Sequence, residues 1–115
     1  MAAYHRQVDL IDIHLGLNPD DPRACVLGAI VHAIIGDKER AIEFTKRAMQ
    51  VDPEDPMLLY NVCCTYARLG MADESLTALE RAVEKGWGDR SWLEHDSDLD
   101  SIRGLPRYKA IIQAM

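Results

Sequence analysis

A spacing of 34 residues organises this 115-residue chain and constrains its fold more than any other feature. Asp21, Asp55 and Asp89 stand 34 apart, as do Gly36, Gly70 and Gly104. Asn18-Pro19 with Asp52-Pro53, and Asp21-Pro22 with Asp55-Pro56, repeat the interval. The segments opening at Asp21 and Asp55 share 6 identities in 34: the Asp, Pro and Gly pairs, Ala33/Ala67, Arg47/Arg81 and Ala48/Ala82. The count is small, but its Asp, Pro and Gly members fall where turns belong. A fixed period of roughly 20 to 50 residues signals a repeat architecture, in which stacked units bury one another.

Each unit reads as a pair of helices. An aspartate N-cap followed by proline at the first helical position opens the first, and glycine closes it. The pattern predicts helix A1 from Pro22 to Ile35 and A2 from Pro56 to Leu69. After very short turns, helix B1 runs from Lys38 to Val51 and B2 from Ala72 to Lys85, each with apolar residues at helical spacing. Upstream, Tyr4 to Leu17 reads as a B helix without its A partner. The resulting division is a half repeat at 3–20, repeats at 21–54 and 55–88, and a degenerate closing unit at 89–115. The closing unit is interrupted by the polar run Glu94 to Asp98, and its predicted role is to cap the last apolar face.

The pattern resembles tetratricopeptide repeats. Leu59, Val62, Cys63, Tyr66, Gly70, Ser75, Leu79 and Ala82 of repeat two fall at signature positions, as do Ala29, Gly36, Ala41, Ala48 and Pro53 of repeat one. Repeat one departs from the signature at Cys25, Gly28, His32 and Thr45. The resemblance implies an all-α fold, an α-α superhelix of about 2.5 repeats with a capping unit, whose A helices line a concave wall. The stretch from Trp92 to Arg103, with Leu105 to Tyr108, is similar to the closing segment of tetratricopeptide modules that follow bacterial cyclase, kinase or transcription-regulator domains. That likeness implies a bacterial module attached to, or derived from, a signalling protein; separately, Asp9 and Asp12 interrupt the apolar pattern of Met1 to Leu17, so no signal peptide and a cytoplasmic location are expected.

Charge and composition narrow the function classes. A net charge of -6 opposes nucleic acid and anionic membranes as partners. The longest apolar run, Ala24 to Ile35, is 12 residues, well short of a membrane span. Cys25, Cys63 and Cys64 are an odd set with two adjacent members, expected as reduced thiols. Adjacent cysteines on a helix point about 100° apart and do not share a tetrahedral ion, so no metal site is expected. Asp96, Asp98 and Asp100 alternate as in a calcium loop, yet Ser101 and Arg107 stand where glycine and glutamate are needed, and helix capping is the expectation. His5, His14, His32 and His95 have no nucleophile at a useful spacing, which argues against an enzyme. No cofactor is expected. Trp87 and Trp92 are expected to seal the apolar end of repeat two.

Helix A1 is apolar on every side, as only a covered helix should be. On the family pattern its wall positions include Val26, Leu27, Ile30 and Ile34, and those of A2 include Tyr60, Asn61, Cys64 and Arg68. The expected function is therefore protein–protein contact: an apolar helix or extended peptide held in the concave groove, with Asn61 and Arg68 setting polarity. The alternative is a homo-oligomer in which a second copy of the chain covers the same wall.

Overall fold

The structure, a computed structural model, describes residues 21–88 and 90–115, and every regular element among them is helical. These are α1 (Pro22–Ile35), α2 (Lys38–Val51), α3 (Pro56–Arg68), α4 (Ala72–Glu84), α5 (Arg90–His95), a 3-10 turn (Ser97–Leu99) and α6 (Pro106–Ala114). The four repeat helices begin and end within one residue of their predicted bounds. The predicted half repeat at 3–20 and the landmark Asp89 lie outside the described residues.

Local chemistry explains those bounds. The Asp21 carboxylate accepts the N–H groups of Arg23 (3.0 Å) and Ala24 (3.3 Å), and Asp55 does the same for Met57 (3.0 Å). Both caps precede a proline that has no N–H to satisfy. At the other end, Gly36 (φ 88°) and Gly70 (φ 74°) adopt the left-handed conformation. Around Gly36, its own N–H reaches Ala33 O (3.3 Å) and Asp37 N–H reaches His32 O (2.8 Å). Thirty-four residues on, Gly70 bonds to Ala67 O (3.2 Å) and Met71 to Tyr66 O (2.9 Å). This paired closure satisfies helix carbonyls that would otherwise be orphaned, and it is common where glycine ends a helix. Gly104, the third member of the series, sits in a turn but is absent from the positive-φ set, so the closing unit does not repeat this turn chemistry.

The chain divides into two compact units, Met1–Pro53 and Glu54–Met115. In the first, α1 and α2 form a hairpin across the Gly36–Asp37 turn, with Asp37 capping α2 through Arg40 N–H (3.2 Å). Cys25, Ala29, Ala41, Phe44, Thr45 and Ala48 are buried. Thr45 hides its hydroxyl by donating to Ala41 O at 2.8 Å, and the His32 ring stacks on Phe44 with centroids 5.3 Å apart. All four positions at which repeat one departs from the family signature, Cys25, Gly28, His32 and Thr45, are thus core positions.

In the second unit α3 and α4 pair in the same way. Their contact passes through two small residues, Cys63 and Ser75, which are fully buried. The Ser75 hydroxyl donates to Cys63 O (2.8 Å) and lies 3.3 Å from Cys63 Sγ. Burial pushes the Cys63 thiol up to about 12, so it packs as a neutral group. The closing segment then wraps this hairpin. Leu93, Leu99 and Ile102 are buried, the 3-10 turn packs on α3, and α6 packs on α4. Arg107 fastens α6 by donating to Glu80 (2.7 Å) and to Thr77 Oγ1 (3.0 Å).

Beyond the adjoining residues, nothing lies within 4 Å of where a Cβ would sit at Gly36 or Gly70, so alanine there meets only the backbone penalty. Gly36→Ala and Gly70→Ala are each expected to cost about 1 kcal/mol, with asparagine costing less. Urea midpoints measure this, and unchanged midpoints for both alanine variants would show that the left-handed turns are dispensable.

Candidate functional site

The most connected polar group in the described residues is the Asp96 carboxylate. Asp96 follows α5 in an extended conformation (φ -81°, ψ 111°) and caps the 3-10 turn, accepting Asp98 N–H at 2.9 Å. That much is the capping role predicted for it. Its second oxygen also accepts the Tyr60 hydroxyl, the Trp92 indole N–H (3.2 Å) and the Cys64 thiol (3.7 Å). Arg68 pairs with Asp98. Tyr60, Cys64 and Arg68 recur at intervals of four along α3 and so share one face, against which the acidic turn lies. The Tyr60 ring is stacked on Trp87, with centroids 4.2 Å apart and planes 7° from parallel. Arg103 holds the acidic turn from the other side, donating to Leu93 O and Asp96 O (2.7 Å each) and pairing with Asp100.

Protonation states follow from this geometry. Burial raises the Tyr60 hydroxyl and the Cys64 thiol far above their ordinary values, so both stay neutral and serve as donors. Burial alone would also raise Asp96, but the hydrogen bonds from Tyr60, Asp98 N–H, Trp92 and Cys64 outweigh it and hold the carboxyl below its ordinary value. Asp98 goes the other way: burial, with the neighbouring Asp96 charge, keeps it raised in spite of Arg68. Cys64 Sγ and the Asp96 and Asp98 carboxylates do lie within 4.8 Å of one another. Their chemistry is that of a hydrogen-bonded hub, since the thiol is held protonated and the carboxylates already receive Tyr60, Trp92 and Arg68.

The predicted groove residues meet different fates. On α1, Leu27 is 57% exposed, Ile30 and Ile34 are half-buried, and Val26 is buried. Helix α1 is therefore not covered all round, contrary to its apolar composition. On α3, Tyr60 and Cys64 are buried, Asn61 is half-buried and Arg68 is exposed. Three of these, Tyr60, Cys64 and Arg68, spend their polar atoms on the acidic turn, and the Asn61 carbonyl accepts Thr65 Oγ1 within the helix (3.1 Å). The tryptophans also divide. Trp87 is half-buried and stacks on Tyr60, whereas Trp92, expected to seal the same end, is 58% exposed. The six-residue helix α5 turns Leu93 inward, which leaves the neighbouring Trp92 outside with its N–H directed to Asp96. Arg103 was not foreseen: besides Asp100, its partners are the backbone carbonyls of Leu93 and Asp96, which leave no mark on a sequence.

No protein-family model and no solved structure matches the chain. Among characterised proteins it is similar to a chloroplastic protein of Arabidopsis thaliana, with 32% identity over 71 residues. That similarity takes in 59% of this chain and 21% of the plant protein, so the chain spans about a fifth of its relative's length. Among the described residues no helix is long and apolar enough to cross a membrane.

Because both tryptophans of the sequence belong to the second unit, their emission reports that unit selectively. Asp96→Asn removes the charge that gathers three side-chain donors and is expected to cost about 2 kcal/mol. The lowered Asp96 carboxyl contributes stability above the unfolded value, near 3.9, and loses it as pH falls through the still lower folded value. The difference in stability between wild type and Asp96→Asn should accordingly shrink as pH falls below about 4. A constant difference across that range in tryptophan-monitored melts would remove Asp96 ionisation from the account.

Proposed function

We propose that this chain is a tetratricopeptide-type repeat module that acts by protein–protein contact, with α1 as the helix that meets the partner. The finer architecture proposed with it is an α-α superhelix of about 2.5 repeats with a closing unit. Support comes from the hydrogen bonds themselves: caps, prolines and left-handed glycines recur at the 34-residue interval in both hairpins.

One observation carries the choice of α1. Leu27, Ile30 and Ile34 follow one another at helical spacing, Leu27 being 57% exposed and the two isoleucines half-buried beside it. An apolar row left in water on a helix is a place where burial gives back free energy, up to about 1.5 to 3 kcal/mol for each side chain fully covered. Helix α3 has no equivalent row, since Asn61, Cys64 and Arg68 occupy the matching positions. The partner read from this surface is an apolar helix or extended segment. No catalytic step enters this reading.

The same row would serve a second copy of the chain, so size and capture are measured together. Leu27→Asp replaces an exposed side chain and is expected to leave the melting temperature within about 2 °C of wild type. It should abolish capture of any protein bound through α1, or convert a dimer to a monomer in light scattering if the occupant is a second copy. Equal capture and equal mass for wild type and Leu27→Asp would sink the proposal.

A further inference from the structure

The apolar row of α1 has a charged residue at each end. Arg23, four residues before Leu27, is exposed, and Asp37 stands three residues after Ile34, in the turn that follows α1. Positions 23, 27, 30, 34 and 37 thus advance in alternating steps of four and three, the spacing of a seam along which two helices pair. One Asp37 oxygen caps α2 through Arg40 N–H at 3.2 Å, and the side chain is still 42% exposed. The seam therefore runs from a cation through three apolar side chains to an anion.

Such an order is complementary to its own reverse. Ile30 lies midway between Arg23 and Asp37, and within half a residue of the midpoint of Leu27 and Ile34. When a second α1 lies antiparallel on the first with the two Ile30 residues opposed, Leu27 falls against Ile34 of the copy and Arg23 against its Asp37. The helix dipoles also oppose favourably in this direction. Parallel pairing would instead set Arg23 against Arg23 and Asp37 against Asp37. From this order we infer that the occupant of the α1 row is α1 of a second copy, packed antiparallel across a two-fold axis at Ile30. The interface is isologous, so each charge contact occurs twice. Exposed ion pairs of this kind set direction and register more than strength. A single row is small beside the roughly 800 Å² per partner of a lasting interface, so the pairing is weak and depends on concentration. The inference rests on the reading of α1 as the contact helix and names the partner of that row.

The test uses the full chain. Light scattering from about 10 μM to about 1 mM, where a weak interface dissociates, should show wild type rising from monomer towards dimer mass. Arg23→Glu sets two glutamates against two aspartates and should weaken pairing about fivefold. Asp37→Arg should do the same by setting arginine against arginine. An equimolar mixture of the two variants should pair as wild type does, because every end contact then joins opposite charges. Ile30→Cys should give a disulfide-linked dimer on mild oxidation. Leu27→Cys, although more exposed, should not, since its copy lies about 9 Å away along the axis. The native Cys25, Cys63 and Cys64 are buried, which confines the reaction to the introduced thiol. The inference is overturned if wild type keeps monomer mass at 1 mM, if Leu27→Cys links as readily as Ile30→Cys, or if the mixed variants pair no better than either alone. Asp37→Arg removes the cap of α2; should it unfold by circular dichroism, Arg23→Glu and the two cysteine variants still decide. The two readings fail separately. A wild type that stays monomeric yet loses capture of another protein on Leu27→Asp ends this inference and leaves α1 standing as the contact helix.

Discussion

Reversal of the chain within two or three residues is the constraint from which the described hairpins follow. A helix of 13 or 14 residues that ends on a left-handed glycine and restarts at once has nowhere to go but back along itself. Antiparallel contact then brings small residues opposite one another, and Ser75 meets Cys63 closely enough to hydrogen-bond its backbone. With a Cβ at positions 36 and 70 the turn would be strained by its left-handed backbone.

Helix boundaries were readable because every signal that sets them is local. Asp21 acts on Arg23 and Ala24, and Gly36 acts on the turn just before it, so a short window of sequence contains cause and effect. The acidic hub was not readable in this way. Tyr60 and Asp96 are 36 residues apart, and Arg68 and Asp98 are 30 apart. Only folding of the closing segment onto α3 reveals that a run resembling simple capping acids is the anchor for three side chains of another helix. Trp92 was misplaced for a related reason: a six-residue helix is too short for periodicity to say which side faces in. Helix α1 posed the opposite difficulty, since residues that are nearly all apolar leave no polar stripe to mark the exposed face, and Leu27 could not be singled out.

The two A-type helices illustrate how a shared backbone plan supports separate chemistry. Positions 27, 30 and 34 carry Leu, Ile and Ile, whereas positions 61, 64 and 68 carry Asn, Cys and Arg. The second set can satisfy and be satisfied by carboxylates, and the acidic turn takes advantage of that. The first set offers only apolar area, and part of it remains in contact with water. Buried Leu93, Leu99 and Ile102 make the acidic turn part of the core of its unit, so its hold on α3 is structural as well as electrostatic.

Because caps and closures repeat with the sequence interval, each hairpin carries its own start and stop instructions. A gene encoding such hairpins can lengthen or shorten by duplicating or deleting whole units, since a new copy arrives with its punctuation intact.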